Sequence, residues 1–317
     1  MVQLSAADGR YAPSPSGPLH LGNLRTALLA WCFARSQGAR FLLRIEDLDP
    51  QRSRPEHEAS VIADLERIGI DWDEPPSRQS ERFDRHRAAF EQLRDGERVY
   101  PCWCTRAEAR QAASAPHPPL PGESRPHRQG AYPGTCRRLS ARERERLARA
   151  GAPAAWRLDA GAQRVRFVDV LAGTREEVVD DFVVWRGDDL AAYNLAVVVD
   201  DCDQGVGEVV RGDDLLETTP RQILLARLLG LPVPRYAHVA LVLGSDGRRL
   251  AKRRRAGGAV TLADRLALGE SVEQLIGWMA SSAGLTAAPG APMRAQQVLA
   301  IFDLAKLRRE PTILDGT

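Results

Sequence analysis

The sequence predicts an α/β protein built on a parallel sheet of the nucleotide-binding kind, which an insertion divides into two halves. Short apolar strand segments alternate with helical segments over the first hundred residues, as they do in a parallel sheet covered by helices. A segment dense in Cys, Pro, His and Gly then breaks the pattern between Tyr100 and about Arg137. The pattern resumes after about Val165 and is helical from Val260 onward.

Hydrophobic spacing predicts the elements of the first half. A short strand is expected at 10–12, and a helix over about 21–35, where apolar residues recur at spacings of three and four. An apolar strand covers Phe41–Ile45. A second helix begins at Pro55, since proline favours the first turn of a helix, and a third spans about 81–93.

The second half is predicted in the same way. Three apolar segments are expected to be strands: 183–185, 208–210 and 239–243. A helix of this half covers about 218–229, with Pro220 in its first turn and Gly230 as its C-cap. A helix pair, 272–279 and 295–307, closes the chain.

These patterns divide the chain into four regions. Residues 1–100 form the first half of the sheet domain, and 101–165 form the insertion. Residues 166–258 form the second half of the sheet domain, and 259–317 form a short helical region.

Composition sets broad limits on function. The 317 residues carry a net charge of +2, and no stretch approaches the ~18 apolar residues that a membrane helix needs. The N-terminus has no apolar core of a signal peptide, so we expect a cytoplasmic protein without membrane contact. Only Lys252 and Lys306 among the 44 basic residues are lysines, which makes arginine clusters weak indicators of an RNA partner.

The turn between the first strand and the first helix carries a chemical signal. It reads APSPSGPLHLGN from Ala12 to Asn23. Ligands of open α/β sheets bind where strands end and helices begin, and glycine lets a phosphate approach the backbone closely. His20 stands at the predicted helix start, where its ring can donate a hydrogen bond to phosphate. A lone histidine in this position more often only caps a helix, so the rest of the pattern decides.

This segment resembles the HIGH signature of class I aminoacyl-tRNA synthetases, in the form used by the glutamyl and glutaminyl branch. A degenerate second signature, of the KMSKS type, is present as RLAKR from Arg249 to Arg253. The resemblance covers roughly residues 8–255 and includes three intermediate blocks, which begin at Arg44, Tyr193 and Val210. Asn23 departs from the first signature, which has a second histidine there.

The resemblance implies a class I synthetase with a Rossmann-like sheet and a defined reaction. The α-carboxylate of glutamate attacks the α-phosphate of ATP and releases pyrophosphate, which needs positioning and charge stabilisation rather than a general base. His20 and Lys252 are implied as the catalytic phosphate donors, and Mg²⁺ is expected to arrive with ATP. The implied ATP-binding residues are Pro13, Gly22, Asn23 and Lys252.

The resemblance also implies how glutamate is bound. Five residues are placed around it: Arg10, Ser14, Glu46, Tyr193 and Arg211. Arg10, Tyr193 and Arg211 are implied at the substrate carboxylate and Glu46 at its ammonium group. Arginine suits a carboxylate because its planar fork can bind two oxygens at once. An alternative for Arg211 is a structural ion pair with Asp213 or Asp214.

Three clustered cysteines form a ligand set suited to structural zinc. They are Cys102, Cys104 and Cys136. Zinc needs a fourth ligand, and chemistry alone leaves Tyr132, His117 and His127 open. The glutamyl-queuosine tRNA synthetases carry a zinc site of the form Cys-x-Cys…Tyr-x-x-x-Cys, and this resemblance implies Tyr132 and one zinc ion per chain.

The small number of residues after the second signature also indicates the glutamyl-queuosine branch. Only about sixty residues follow Arg255, which is too few for a helical anticodon-reading half. The glutamyl-queuosine family attaches glutamate to the queuosine base at the wobble position of tRNA(Asp), after activation that does not need tRNA. We therefore expect a monomer that uses L-glutamate, ATP and queuosine-bearing tRNA(Asp). The alternatives are a compact glutamyl-tRNA synthetase that charges a 3′ end, and a non-catalytic tRNA-binding paralogue.

Overall fold

The computed structural model describes residues 7–314, apart from 106, 110–131, 152, 251–258 and 289. The described strands are β1 Gly9–Tyr11, β2 Phe41–Ile45, β3 Ser77–Arg78, β4 Val99–Cys102, β5 Ala155–Leu158, β6 Arg164–Asp169, β7 Gly173–Val178, β8 Phe182–Trp185, β9 Glu208–Gly212, β10 Arg235–Val239, β11 Val242–Leu243 and β12 Thr312–Ile313. The described α-helices are α1 Leu21–Arg35, α2 Pro55–Arg67, α3 Phe83–Asp95, α4 Ala141–Arg149, α5 Tyr193–Asp203, α6 Thr219–Leu229, α7 Leu262–Ala267, α8 Val272–Ser282 and α9 Ala295–Ala300.

Seven strands form the central sheet in the order β3-β2-β1-β9-β10-β6-β7. All neighbours are parallel except the β6–β7 hairpin. Chain order runs outward from β1 to β3 on one side and from β9 to β10 on the other. The order therefore reverses between β1 and β9, and ligands of such sheets bind at the carboxyl ends of the strands beside this point. The predicted parallel α/β sheet is confirmed.

Helices cover both faces of the sheet, and strand residues alternate between the two faces. In β2, Phe41 and Leu43 face the core that includes α1 and α8, whereas Leu42 faces the core that includes α5 and α6. This two-sided burial explains why four of the five residues of β2 are apolar; the fifth, Arg44, is buried but paired with carboxylates. The predicted helices at 21–35, from Pro55 and at 218–229 are confirmed. Gly230 ends the last of these with φ 69°, a left-handed conformation that favours glycine.

A second, antiparallel sheet has the order β4-β5-β8. The predicted strand at 183–185 therefore exists but belongs to this small sheet, where Phe182 pairs with Leu158 of β5. Between these strands the chain adds the β6–β7 hairpin to the edge of the central sheet. The sequence did not predict this hairpin, because every residue of β7 is exposed and no apolar alternation marks it. The boundaries of the four regions stay predictions.

Two other predicted elements need correction. The strand expected at 239–243 is interrupted: β10 ends at Val239, and β11 turns away to pair with β12 near the C-terminus. The helix expected over 295–307 ends at Ala300, because the Asp303 side chain accepts from the Ala305 N–H and starts a 3₁₀ turn.

The C-terminal helices pack directly onto the sheet domain. The buried Arg25 of α1 donates through Nη1 to the Ser282 carbonyl (3.4 Å) and to Thr312 Oγ1 (3.3 Å). Met279 and Val298 are fully buried in the same core as α1. Of the helices that the structure describes, none has the length and hydrophobicity to cross a bilayer.

Candidate active site

A pocket opens at the carboxyl ends of β1 and β9, where the strand order reverses. Its volume is about 450 Å³, within the range of small-molecule sites. Residues predicted from the first signature and from the intermediate blocks line it: Pro13, Ser14, His20, Gly22, Asn23, Glu46, Tyr193 and Arg211. Arg10 lies outside this lining, and Lys252 lies outside the described residues.

His20 caps the first helix and faces the pocket. Its Nδ1 accepts from the Asn23 N–H (3.1 Å), and Asn23 Oδ1 accepts from the His20 N–H (3.4 Å). Asn23, the departure from the HIGH signature, thus completes a capping box. Because Nδ1 is an acceptor, the neutral ring carries its proton on Nε2 as a donor. A Cβ on Gly22 would lie 3.1 Å from both His20 Nδ1 and Val242 Cβ, so this position favours glycine.

Arg211 is a buried cation held by neutral groups. Its Nε donates to His238 Nε2 (3.1 Å) and its Nη2 to Thr219 Oγ1 (2.8 Å). Nη1 is buried and has no hydrogen-bond partner. Among the described residues Arg211 forms no ion pair, so the structural pairing considered with Asp213 or Asp214 is wrong.

Arg10 lies beneath the pocket in a chain of alternating charges. Its Nε donates to Asp201 Oδ1 (3.2 Å), and Arg44 Nη1 reaches the same oxygen (2.7 Å). Arg44 also contacts Glu46 Oε1 (3.4 Å). Burial raises the pKa of Glu46, although both arginines oppose this. A cation bound beside Glu46 would stabilise its charged form.

Asp201 was missed by the sequence reasoning, although it ends the block that begins at Tyr193. It is buried, and the charges of Arg10 and Arg44 outweigh burial to lower its pKa. The available signal was its position at the end of an apolar helix, which indicates burial. A buried carboxylate requires cationic partners, so Asp201 could have been paired with the predicted arginines.

Asp201→Asn is expected to lower the free energy of unfolding by about 3 kcal/mol, because it leaves two buried guanidinium groups short of negative charge. Urea denaturation measures this. Asp203→Asn is the matched control on the same helix, since Asp203 pairs with the more exposed Arg82 and Arg85. Equal losses in both variants would contradict the role of Asp201.

The second signature begins beside the pocket. Arg249 forms an ion pair with Asp214, which follows β9, and both line the pocket with Leu250. This contact joins the segment after β11 to the turn after β9. The predicted catalytic Lys252 is two residues beyond Leu250, outside the described part of the chain.

The three clustered cysteines form a compact group with Tyr132. The sulfur atoms of Cys102, Cys104 and Cys136 lie within 4.8 Å of one another. Tyr132 Oη is 3.5 Å from the sulfurs of both Cys102 and Cys104. Tetrahedral zinc bonds of ~2.3 Å to sulfur and ~2.0 Å to oxygen correspond to ligand separations of roughly 3.5–3.8 Å, so this set fits zinc. His117 and His127, the other candidates, lie outside the described residues.

Arg157 places positive charge on this cluster. Its Nε donates to Cys102 Sγ (3.2 Å), and its guanidinium carbon lies 3.7 Å from the centre of the Tyr132 ring. Burial raises the pKa of Cys104 to about 12. A guanidinium group and a divalent cation would both favour the thiolates that zinc requires.

Comparisons with known proteins match this architecture. The family described as tRNA synthetases class I (E and Q), catalytic domain, matches residues 7–266. A glutamyl-Q tRNA(Asp) synthetase of Nocardia farcinica is 57% identical over 306 residues, which cover 96% of this chain and 92% of that protein. The chain belongs to the glutamyl-Q tRNA(Asp) synthetases. The enzyme of that name from Symbiobacterium thermophilum is 48% identical and is covered over 94% of its length.

Solved structures of the same branch share the fold. A glutamate tRNA ligase from Elizabethkingia meningosepticum, in complex with its amino acid, superposes with a TM-score of 0.77 at 26% identity. The match covers 98% of this chain and 68% of that ligase. The fold expectation, a class I synthetase with a Rossmann-like sheet, is therefore confirmed. Within a glutamyl-Q tRNA(Asp) synthetase, the pocket between β1 and β9 is the candidate site of amino-acid activation.

Proposed function

We propose that this protein activates L-glutamate with ATP and transfers the glutamyl group to the queuosine base of tRNA(Asp). The observation that carries the amino-acid assignment is the unpartnered Nη1 of Arg211 at the pocket. A buried donor without a partner costs free energy, and a substrate carboxylate would supply the missing acceptor.

Charge balance supports glutamate over glutamine. Arg10 and Arg44 are balanced by Asp201 and Glu46, which leaves Arg211 without a carboxylate in contact. A glutamate γ-carboxylate would complete the balance, whereas the neutral amide of glutamine would leave a buried charge unpaired. Glu46 is proposed to bind the α-ammonium group, with Ser14 and Tyr193 as further contacts from the pocket wall. Arg10 is proposed to act from beneath the pocket.

The first signature is proposed to hold ATP. His20 would donate from Nε2 to a phosphate oxygen, while Pro13, Gly22 and Asn23 line the approach to the start of α1. The helix N-terminus adds favourable partial charge for the phosphates. Mg²⁺ is proposed to enter with ATP, and Lys252 is proposed to stabilise the charge that develops as the glutamate carboxylate displaces pyrophosphate.

Lys252→Ala is expected to lower the rate of glutamate-dependent pyrophosphate exchange by at least about tenfold, since it removes one charged donor worth about 1.5–3 kcal/mol. Melting temperature should not change. Lys306→Ala is the matched control, because Lys306 lies in the C-terminal 3₁₀ turn and outside the pocket lining. Equal rates in the two variants would remove Lys252 from the reaction.

Activation is proposed to proceed without tRNA. A carboxylate nucleophile is already ionised at neutral pH and needs no RNA group to deprotonate it. A monomer is proposed as the active form. Because tRNA is the proposed acceptor, the cytoplasm is the proposed location.

One structural zinc ion per chain is proposed for the cysteine cluster. Its ligands would be the sulfurs of Cys102, Cys104 and Cys136 and the oxygen of Tyr132. Such a closed set leaves no position for substrate, so zinc would stabilise the small sheet rather than take part in the reaction.

Transfer of labelled glutamate to three RNAs tests the proposal. These are queuosine-bearing tRNA(Asp), the same tRNA without queuosine, and queuosine-bearing tRNA(Asp) that lacks its 3′-terminal adenosine. Label on the first and third only is the expected result. Label that requires the terminal adenosine would indicate a compact glutamyl-tRNA synthetase. Absence of pyrophosphate exchange with every amino acid would indicate a non-catalytic paralogue.

A further inference from the structure

Two buried residues outside the predicted site connect Arg211 to the interior of the sheet by hydrogen bonds. His238 lies in β10 and Asp169 ends β6, the next strand of the central sheet. His238 Nδ1 is 2.6 Å from Asp169 Oδ2, and both side chains have no exposed surface. On its other side, His238 Nε2 is 3.1 Å from Arg211 Nε. The three side chains therefore form a line from the sheet interior to the pocket.

The hydrogen bonds in this line determine where the histidine proton lies. Arg211 Nε can only donate, so His238 Nε2 must accept from it. The ring proton is then on Nδ1 and is donated to Asp169. The Asp169 carboxylate is fixed independently, because its Oδ1 accepts from the N–H groups of Leu171 (2.9 Å) and Ala172 (2.7 Å).

The neutral ring also keeps two opposite charges apart. An aspartate in direct contact with Arg211 would neutralise the cation and occupy its donors. With the imidazole between them, Asp169 orients the ring while Arg211 retains its charge and its free Nη1 for a ligand. Burial lowers the pKa of His238, which favours the neutral form despite the nearby carboxylate.

We propose that Asp169 and His238 are positioning residues for Arg211, and that they set the affinity for glutamate by fixing one His238 tautomer. This proposal deepens the proposed function and rests on it. Neither residue lines the pocket, so both act through Arg211 rather than on the substrate.

Asp169→Asn is the sharpest test, because it preserves shape and changes only the hydrogen-bonding pattern. An asparagine amide can donate to Nδ1, which would shift the ring proton to Nε2, where it faces the Arg211 donor. The KM for glutamate is expected to rise about tenfold, by analogy with metal sites, where changing the partner that orients a ligating histidine costs about 10–100-fold in affinity or activity. The KM for ATP should stay within about twofold.

Two further variants separate positioning from folding. The His238→Gln side chain retains an acceptor for Arg211 and a donor for Asp169. The KM for glutamate in this variant should therefore stay within about threefold of the wild-type value. The matched control is His86→Gln, since His86 is equally buried and contacts Asp200 (2.9 Å) away from the pocket. It should leave both KM values unchanged.

The His238 tautomer can be measured directly by ¹⁵N NMR of the free protein. A non-protonated Nε2 in wild type that becomes protonated in Asp169→Asn is expected. A wild-type proton on Nε2, or equal rises in both KM values in Asp169→Asn, would overturn the proposal. If wild type activates no glutamate, the proposed function fails together with the affinity claim, and the NMR result still decides whether Asp169 fixes the His238 tautomer that accepts from Arg211.

Discussion

Replacing Arg211 with alanine is expected to raise the KM for glutamate about 100-fold and to leave the KM for ATP within about twofold. The substrate carboxylate would lose charge-assisted hydrogen bonds worth about 1.5–3 kcal/mol each, and every ~1.4 kcal/mol is tenfold in affinity. Pyrophosphate exchange at varied glutamate and ATP concentrations measures both constants. Equal rises would mean that Arg211 only supports the fold.

The same variant should not be less stable than wild type. Arg211 is buried without a carboxylate in contact, so its removal relieves the cost of desolvating a charge. Its former partners, Thr219 Oγ1 and His238 Nε2, are 3.1 Å apart and can bond to each other. We therefore expect an unchanged or higher melting temperature. This result is typical of a residue that contributes to ligand binding at a cost in stability.

Arg221→Ala is the matched control for this experiment. Arg221 is also an arginine near β9 in sequence, but its guanidinium pairs with Asp180 outside the pocket lining. Its replacement should leave both KM values unchanged. A rise in the KM for glutamate in this control would show that loss of any arginine in the region disturbs the site.

Cys104→Ser is expected to abolish zinc binding and to lower the melting temperature by about 5–10 °C. The cluster would lose one of its four proposed ligands, and structural zinc contributes directly to folding free energy. A loss of a few kcal/mol corresponds to a shift of this size in a large domain. Elemental analysis should find about one zinc per chain in wild type and almost none in the variant.

Cys202→Ser is the control for the zinc experiment, because Cys202 is a free cysteine on α5 outside the cluster. It should retain zinc and its melting temperature. Folded wild-type protein without zinc, or equal melting temperatures for wild type and Cys104→Ser, would contradict the metal assignment.

The sequence was sufficient to predict those helices, strands and sites that local hydrophobic patterns or short motifs specify. The helix from Leu21 to Arg35 and the strand Phe41–Ile45 followed from hydrophobic spacing, and the structure has both with these bounds. The turn around His20 and the spacing of Cys102 and Cys104 also identified the two sites to examine. These features depend on neighbours within a few residues, which a sequence displays directly.

Elements that depend on distant partners were missed or misplaced. In the β6–β7 hairpin, β7 has no apolar alternation because both of its sides face solvent. The strand Phe182–Trp185 looks like any buried strand, and only its pairing with β5 assigns it to the small sheet. Strand pairing is a choice among distant segments, so local composition does not determine it.

The sequence by itself determined the sheet class, the two signature-type turns, the three clustered cysteines and the candidate residues of the pocket. Only the tertiary structure decided how their charges are arranged. It placed Asp201 between Arg10 and Arg44, and it left Arg211 with neutral partners. Residues far apart in the chain interact strongly once they are buried together, because the interior screens charge weakly. Which charge stays available for a substrate is therefore set by the folded arrangement.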